Sequence, residues 1–161
     1  LHEPTNLLVR GGIDDVWVMP SGELLIVDYK ATSKDGEVSL DAEWQDGYKR
    51  QIETYQWLFR KNGFKVSDTG YFVYANASRD REAFDGKLEF DVKVIPYVGS
   101  DSWVEGTLQD IKACLTNDAA PESSTECDFC NYRRAVGKAL RESEVKEKSV
   151  APQKKNRDTL F

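Results

Sequence analysis

Three side chains in one short stretch have the types and spacing to do chemistry. Asp14, Asp28 and Lys30 all lie within GGIDDVWVMPSGELLIVDYK, residues 11–30. Side chains two residues apart on a strand leave the same face, so Asp28 and Lys30 point together. Two carboxylates converging beside an ammonium make a site for a hard divalent cation and place a charge that can act on a water. This requires Asp14 to lie across from Asp28, and the intervening chain has to bring it there.

That chain reads as a β-hairpin. Ile13–Met19 forms the first strand, Pro20-Ser21-Gly22-Glu23 the turn, and Leu24–Lys30 the second strand. Pro presets φ and Gly accepts a positive φ between two runs rich in Val, Ile and Leu. Pairing across this turn sets Asp14 opposite the far end of the second strand, near Asp28. Asp15 follows directly, and strand alternation turns only one of the two inward, so both stay open as the inward carboxylate.

The other elements follow from periodicity. Leu7–Val9 reads as a short strand, and the polar stretch 31–47 as a loop beside the site. Tyr48, Ile52, Tyr55, Leu58 and Phe59 mark a helix over 48–62, with Gly63 as its stop. Residues 66–77 carry the aromatic and β-branched run of a buried strand. Residues 87–96 alternate as a half-exposed strand near an edge, with Leu88, Phe90, Val92 and Val94 on one side. A second helix spans 102–116, with Leu108, Ile111, Leu115 and Cys114 on its apolar side. A third follows from Cys127 to residue 147. The order β-β-β-α-β-β-α-α implies a mixed α/β (α+β) domain over 1–147, a central mixed sheet flanked by helices. Residues 148–161 are expected to be a flexible basic tail.

Three of these segments together resemble the PD-(D/E)XK nuclease superfamily. Gly12-Ile13-Asp14, Val27-Asp28-Tyr29-Lys30 and Gln51-Ile52-Glu53-Thr54-Tyr55 match its GxD, DxK and QxxxY motifs, in order, on a strand, a strand and a helix. The nearest branch is the RecB-like one, with the RecB and AddB nuclease domains and a CRISPR-adaptation nuclease. The resemblance implies a restriction-endonuclease-like core and metal-dependent hydrolysis of DNA phosphodiesters. An exonuclease in repair, recombination or defence is the expected setting.

Carried onto this chain, the resemblance implies that Asp14 and Asp28, with the backbone carbonyl of Tyr29, hold Mg²⁺ or Mn²⁺. Lys30 would orient or activate the attacking water, and Gln51 and Tyr55, one helical turn apart, would position the site and the strand beside it. His2 and Glu3 are further candidate ligands, although the family's upstream histidine usually lies farther ahead of GxD. Glu53 is expected to be solvated. Cys127 and Cys130 resemble the CxxC that helps hold an iron–sulfur cluster in part of the RecB-like branch. A cluster needs four thiolates, and no third cysteine follows, so none is expected from this chain alone.

Lys49, Arg50, Arg60 and Lys61 beside the central helix, and Arg133, Arg134, Lys138 and Arg141 on the last one, read either as solvated surface or as phosphate contacts. Trp44, Trp57 and Trp103 read as packing residues that could also stack on unpaired bases. Arg157–Phe161 ends in Leu-Phe, loosely resembling sliding-clamp-binding peptides, though a frayed terminus is the simpler expectation. A helicase or recombination complex is the partner the resemblance implies.

Composition bounds these readings. The 161 residues suffice for one core, and the net charge of −6 argues against a non-specific nucleic-acid coat while leaving room for a metal enzyme with a local basic strip. Three cysteines in no framework and no run of 18 apolar residues point to a reducing, cytoplasmic setting without a membrane span. Leu rather than Met at position 1 suggests a trimmed domain. The rival reading is a nuclease-fold module that binds DNA or a helicase without cutting.

Overall fold

A computed structural model describes residues 1–80 and 85–150, with the side chains of 147–150 left aside. The expectations for a basic tail beyond 150 and for a clamp-binding terminus at 157–161 therefore fall outside the described residues. The chain divides into two compact units, Leu1–Thr116 and a second that begins at Asn117.

The first unit is built on a four-stranded mixed sheet. Its strands are β1 (Asp15–Val18), β2 (Leu24–Thr32), β3 (Thr69–Ala77) and β4 (Phe90–Val98), side by side in that order. β1 and β2 form the expected antiparallel hairpin. Gly22 takes φ +78° at the turn, and Met19 and Glu23 close it through a 2.9 Å hydrogen bond. β2 and β3 run parallel, so a crossover must join them, and α1 (Asp46–Lys61) supplies it. A 3-10 turn at Glu43–Gln45 leads into that helix. β4 pairs antiparallel with β3 and forms an edge.

α1 lays Ile52, fully buried, against Ile26 and Phe72 of the sheet, each burial stabilising by roughly 2 kcal/mol. The approach is close. A Cβ on Gly70 of β3 would stand 2.8 Å from Ile52 Cγ2 and 3.0 Å from the Ile26 carbonyl oxygen, so only glycine fits. Asn62 and Gly63 (φ +85°) end the helix, with Asn62 Nδ2 donating to the Leu58 carbonyl at 2.7 Å.

α2 (Val104–Leu115) packs Val104 and Leu108 with Trp57 into a second cluster that Leu7 and Val9 join. Ile111, Leu115 and Cys114, expected on its apolar side, are exposed, since only the first half of α2 meets α1. Leu7–Val9 is likewise no strand. A turn with Asn6 at φ 55° folds Leu7 back on His2 through one bridge, and the segment lies along Trp57. The described order is therefore β-β-α-β-β-α-α.

β4 keeps the expected alternation but buries the other side. Ile95 and Tyr97 pack toward α1, while Phe90, Val92 and Val94 are exposed. The second unit contains α3 (Asp128–Val150), a helix whose Phe129, Tyr132, Val136 and Leu140 are exposed.

Candidate active site

The hairpin register decides which acid meets Asp28. Asp15 pairs with Val27, so Asp14, one residue outside β1, comes opposite Asp28 and shares its face. Asp14 Oδ2 accepts the Tyr29 backbone N–H at 2.9 Å, which anchors the carboxylate just ahead of the strand. Asp15 faces the other way. Its oxygens accept Val16 N–H (2.8 Å), Trp17 Nε1 (3.2 Å) and the Tyr29 hydroxyl (2.7 Å), and the Tyr29 bond foremost holds its pKa down.

Asp28 is 1 % exposed. Neither carboxylate oxygen receives a hydrogen bond of normal geometry, and Oδ2 meets only the Lys30 ammonium as an ion pair. Burial pushes its pKa up, Lys30 draws it back, and the Asp14 carboxylate raises it again. Phe72 and Tyr74 of β3 stand beside Asp28 and Lys30 and keep water away. A buried acid with an oxygen left unpaired is costly, and such oxygens mark places built for another partner.

Lys30 is held from the helix side. Its Nζ donates to Gln51 Oε1 at 3.2 Å and lies 4.3 Å from the centroid of the Tyr48 ring. Gln51 Nε2 in turn donates to the Tyr55 hydroxyl at 3.1 Å. The Tyr55 ring rests on Gly11, where a Cβ would stand 2.5 Å from Cε1. One connected chain thus runs from Asp28 through Lys30 and Gln51 to Tyr55, with Asp14 opposite its start. Gln45 steadies the loop after β2, donating to the Ser39 carbonyl at 2.7 Å and to the Tyr74 hydroxyl at 3.3 Å.

A profile of the PD-(D/E)XK nuclease superfamily matches residues 3–135. The chain belongs to this superfamily. Searches of curated proteins and of solved structures return no match. The mixed sheet with its helices is consistent with the restriction-endonuclease-like fold.

The donor set suits the divalent metals such nucleases usually employ. Two carboxylates, one exposed and one buried with a free oxygen, offer hard ligands to a hard cation. Among the described residues no three His, Cys, Asp or Glu side chains converge, so the remaining ligands would come from backbone, water or substrate oxygens. Mg²⁺ is commonly held in that way, by one or two carboxylates plus substrate phosphates.

Other candidates lie elsewhere. His2 is buried, with Nδ1 2.7 Å from Thr5 Oγ1 and Nε2 2.7 Å from Glu105 Oε2, so both ring nitrogens are engaged. Glu105 also receives Trp57 Nε1 at 3.1 Å and the Lys61 ammonium. Lys61 first, then His2, draws its pKa down to about 2. Glu3 is exposed. Glu53 departs from expectation. It is buried, accepting the Tyr97 hydroxyl (2.7 Å), Ser100 N–H (3.1 Å) and Trp103 Nε1 (2.7 Å), while Tyr97 is pushed up to about 12 by burial and this bond. Trp57 is buried in the same region and Trp44 is exposed, edge-on to Tyr48.

Lys49 pairs with Asp46 at 2.9 Å, and Arg50 is exposed with its Nε donating to the Asp46 carbonyl at 3.3 Å. Arg133 and Arg134 are exposed on α3 of the second unit. Cys127 and Cys130 are free thiols at the start of that helix, and the Cys130 N–H foremost lowers the Cys127 pKa. Tyr48 and Gly11 were not legible as site residues. The spacing offered one clue, since Tyr48 lies three residues before Gln51 on the same helix face.

Proposed function

We propose that this domain is a Mg²⁺- or Mn²⁺-dependent nuclease that hydrolyses DNA phosphodiester bonds. The observation that carries the reading is the buried Asp28 carboxylate, short of partners, opposite Asp14 and beside a lysine fixed by a glutamine. Asp14 and Asp28 would hold the cation, with the Tyr29 backbone carbonyl as a further ligand. Bound there, the metal supplies Lewis acidity toward a phosphoryl oxygen and a more acidic water.

The chain's own groups do the rest. The Lys30 ammonium has three N–H donors, and Asp28 and Gln51 occupy two. The third is free to orient the attacking water or to offset charge on the phosphate as it builds up in the transition state. Gln51 fixes where that ammonium sits, and Tyr55 fixes Gln51. Beside Asp28, Lys30 therefore acts as a charge and a donor. Phe72 and the Tyr48 ring limit water around it, which strengthens both interactions. Lys49, Arg50, Arg133 and Arg134 would meet the phosphate backbone.

The RecB-like motif set supports an exonuclease working in repair, recombination or defence beside a helicase partner. Digestion of linear and circular DNA, single- and double-stranded, with Mg²⁺, Mn²⁺ or EDTA tests both levels. Metal-dependent loss of linear DNA with circles spared, absent in Lys30→Ala, is the expected result; that variant should lose at least about 100-fold in rate. Cut circles would replace the exonuclease with an endonuclease. Binding without cutting under every metal condition would leave the non-catalytic module as the better account.

A further inference from the structure

The second unit holds a cleft that the catalytic chemistry does not use. Pro121, Ser123, Cys130, Arg133, Arg134, Gly137 and Arg141 line about 460 Å³ of open space. The residues from Cys130 to Arg141 recur at helical spacing along one face of α3. Gly137 makes the room. Glycine inside a helix costs about 1 kcal/mol relative to alanine, and here it leaves a gap between the arginines of neighbouring turns. Arg141 folds back over that gap, its Nη1 and Nη2 standing 3.6 and 4.0 Å from where a Gly137 Cβ would be.

Three guanidinium groups thus line one cleft with no carboxylate among the lining residues. Among the described residues Arg134 hydrogen-bonds the neutral Asn131 side chain and acts on the Cys127 thiol, and none of Arg133, Arg134 and Arg141 has a carboxylate partner. Several other cations of the molecule are paired. Arg60 is paired with Asp68 and Asp101, Arg79 with Asp35, and Lys93 with Glu37. Among the described residues of this chain of net charge −6, no carboxylate pairs with the three cleft arginines.

We propose that this cleft binds a backbone phosphodiester of a nucleic-acid strand through Arg133, Arg134 and Arg141, with the Ser123 hydroxyl as an uncharged partner. Arginine forks match phosphate oxygens two at a time. No aromatic side chain lines the cleft, so bases are not stacked there and the contact is independent of sequence. The inference rests on the nuclease reading only for the choice of a strand over free phosphate.

The test uses the full chain in EDTA, so that binding is read without cutting. Anisotropy of a labelled oligo-dT is followed over a range of salt, and inorganic phosphate is titrated separately by calorimetry. The Arg133→Gln/Arg141→Gln variant should bind the oligonucleotide at least about 10-fold more weakly, with a log–log salt slope shallower by about 0.7 for each phosphate no longer neutralised. Lys138→Gln removes a positive charge from α3 outside the cleft lining, one already paired with Glu142 at 3.9 Å, and should change affinity by less than about twofold. Glutamine keeps helix propensity, so the helical circular dichroism of wild type and both variants should agree. Equal weakening by Lys138→Gln would reduce the effect to net charge and overturn the site. Unchanged affinity in the double variant, or arginine-dependent binding of inorganic phosphate with none of oligo-dT, would overturn it too. Arginine-dependent binding by a protein that never cuts DNA would uphold the cleft while removing the nuclease reading.

Discussion

Asp28→Asn should make the metal-free protein more stable while abolishing cleavage. In the wild type, Asp28 is 1 % exposed, its Oδ1 has no donor, and its Oδ2 has only the Lys30 ammonium. Leaving a buried polar atom unpaired costs about 1–3 kcal/mol. Asparagine keeps an acceptor for Lys30, and its amide can donate toward the Asp14 carboxylate, where the wild type has repulsion. Lys30 also retains Gln51 and the Tyr48 ring. The loss of the ion pair is thereby softened, and a net gain of about 1 kcal/mol is expected, or roughly 2–4 °C in melting temperature.

Proton linkage sharpens this prediction. The folded pKa of Asp28 lies above its ordinary value, chiefly through burial, so the fold favours the protonated acid. Wild-type stability then falls as pH rises from the unfolded pKa through the folded one, and the penalty is complete above it. The asparagine variant lacks that slope, so its advantage appears only on the alkaline side of the window. Metal reverses the order. A cation at 100 times its Kd stabilises by about 2.7 kcal/mol, which only the wild type would gain. Thermal melts in EDTA and in Mn²⁺, each at several pH values, measure both effects. A variant less stable than wild type in EDTA at neutral pH, or stabilised equally by Mn²⁺, would refute the reasoning.

Gly11→Ala puts a Cβ 2.5 Å from the Tyr55 ring, which must move and loosen its hydroxyl from Gln51. Cleavage should fall about 10-fold or more with little change in melting temperature, and an unchanged kcat would show that Tyr55 does not position the site. Glu53→Gln leaves one acceptor for donors from Tyr97, Ser100 and Trp103 and turns an amide N–H toward another donor. A loss of about 2–4 kcal/mol is expected in urea denaturation, and a loss under about 0.5 kcal/mol would mean that the three bonds are not charge-assisted.

The site was legible because its parts are local. Alternation along β2 fixed Asp28 and Lys30 on one face, and the four-residue turn carried Asp14 to the same place. A single helical turn joined Gln51 to Tyr55. The choice between Asp14 and Asp15 needed the register itself, since a shift of one residue exchanges them. What stayed hidden depends on distant packing. Glu53 looks solvated from its helix face, yet the turn at 99–103 and the entry to β3 close over it and over the neighbouring buried Gln56, whose Nε2 donates to the Ser67 and Asp68 carbonyls at 3.1 and 2.9 Å. Ile111 and Leu115 carry an apolar period that the described residues leave exposed. The alternation of β4 marked an edge strand but not which of its faces would meet α1.

β3 contributes none of the reactive groups, yet Phe72 stands beside Asp28 and Tyr74 beside Lys30 along the whole reactive length of β2. The local dielectric at the carboxylate is therefore written on a neighbouring strand. Substitutions that enlarge or polarise positions 72 and 74 would retune the acidity of Asp28 and, on the proposed reading, the affinity for a cation, with Asp14 and Asp28 both kept in place. Selection for a different working pH could act on this wall before it acted on Asp14, Asp28 or Lys30.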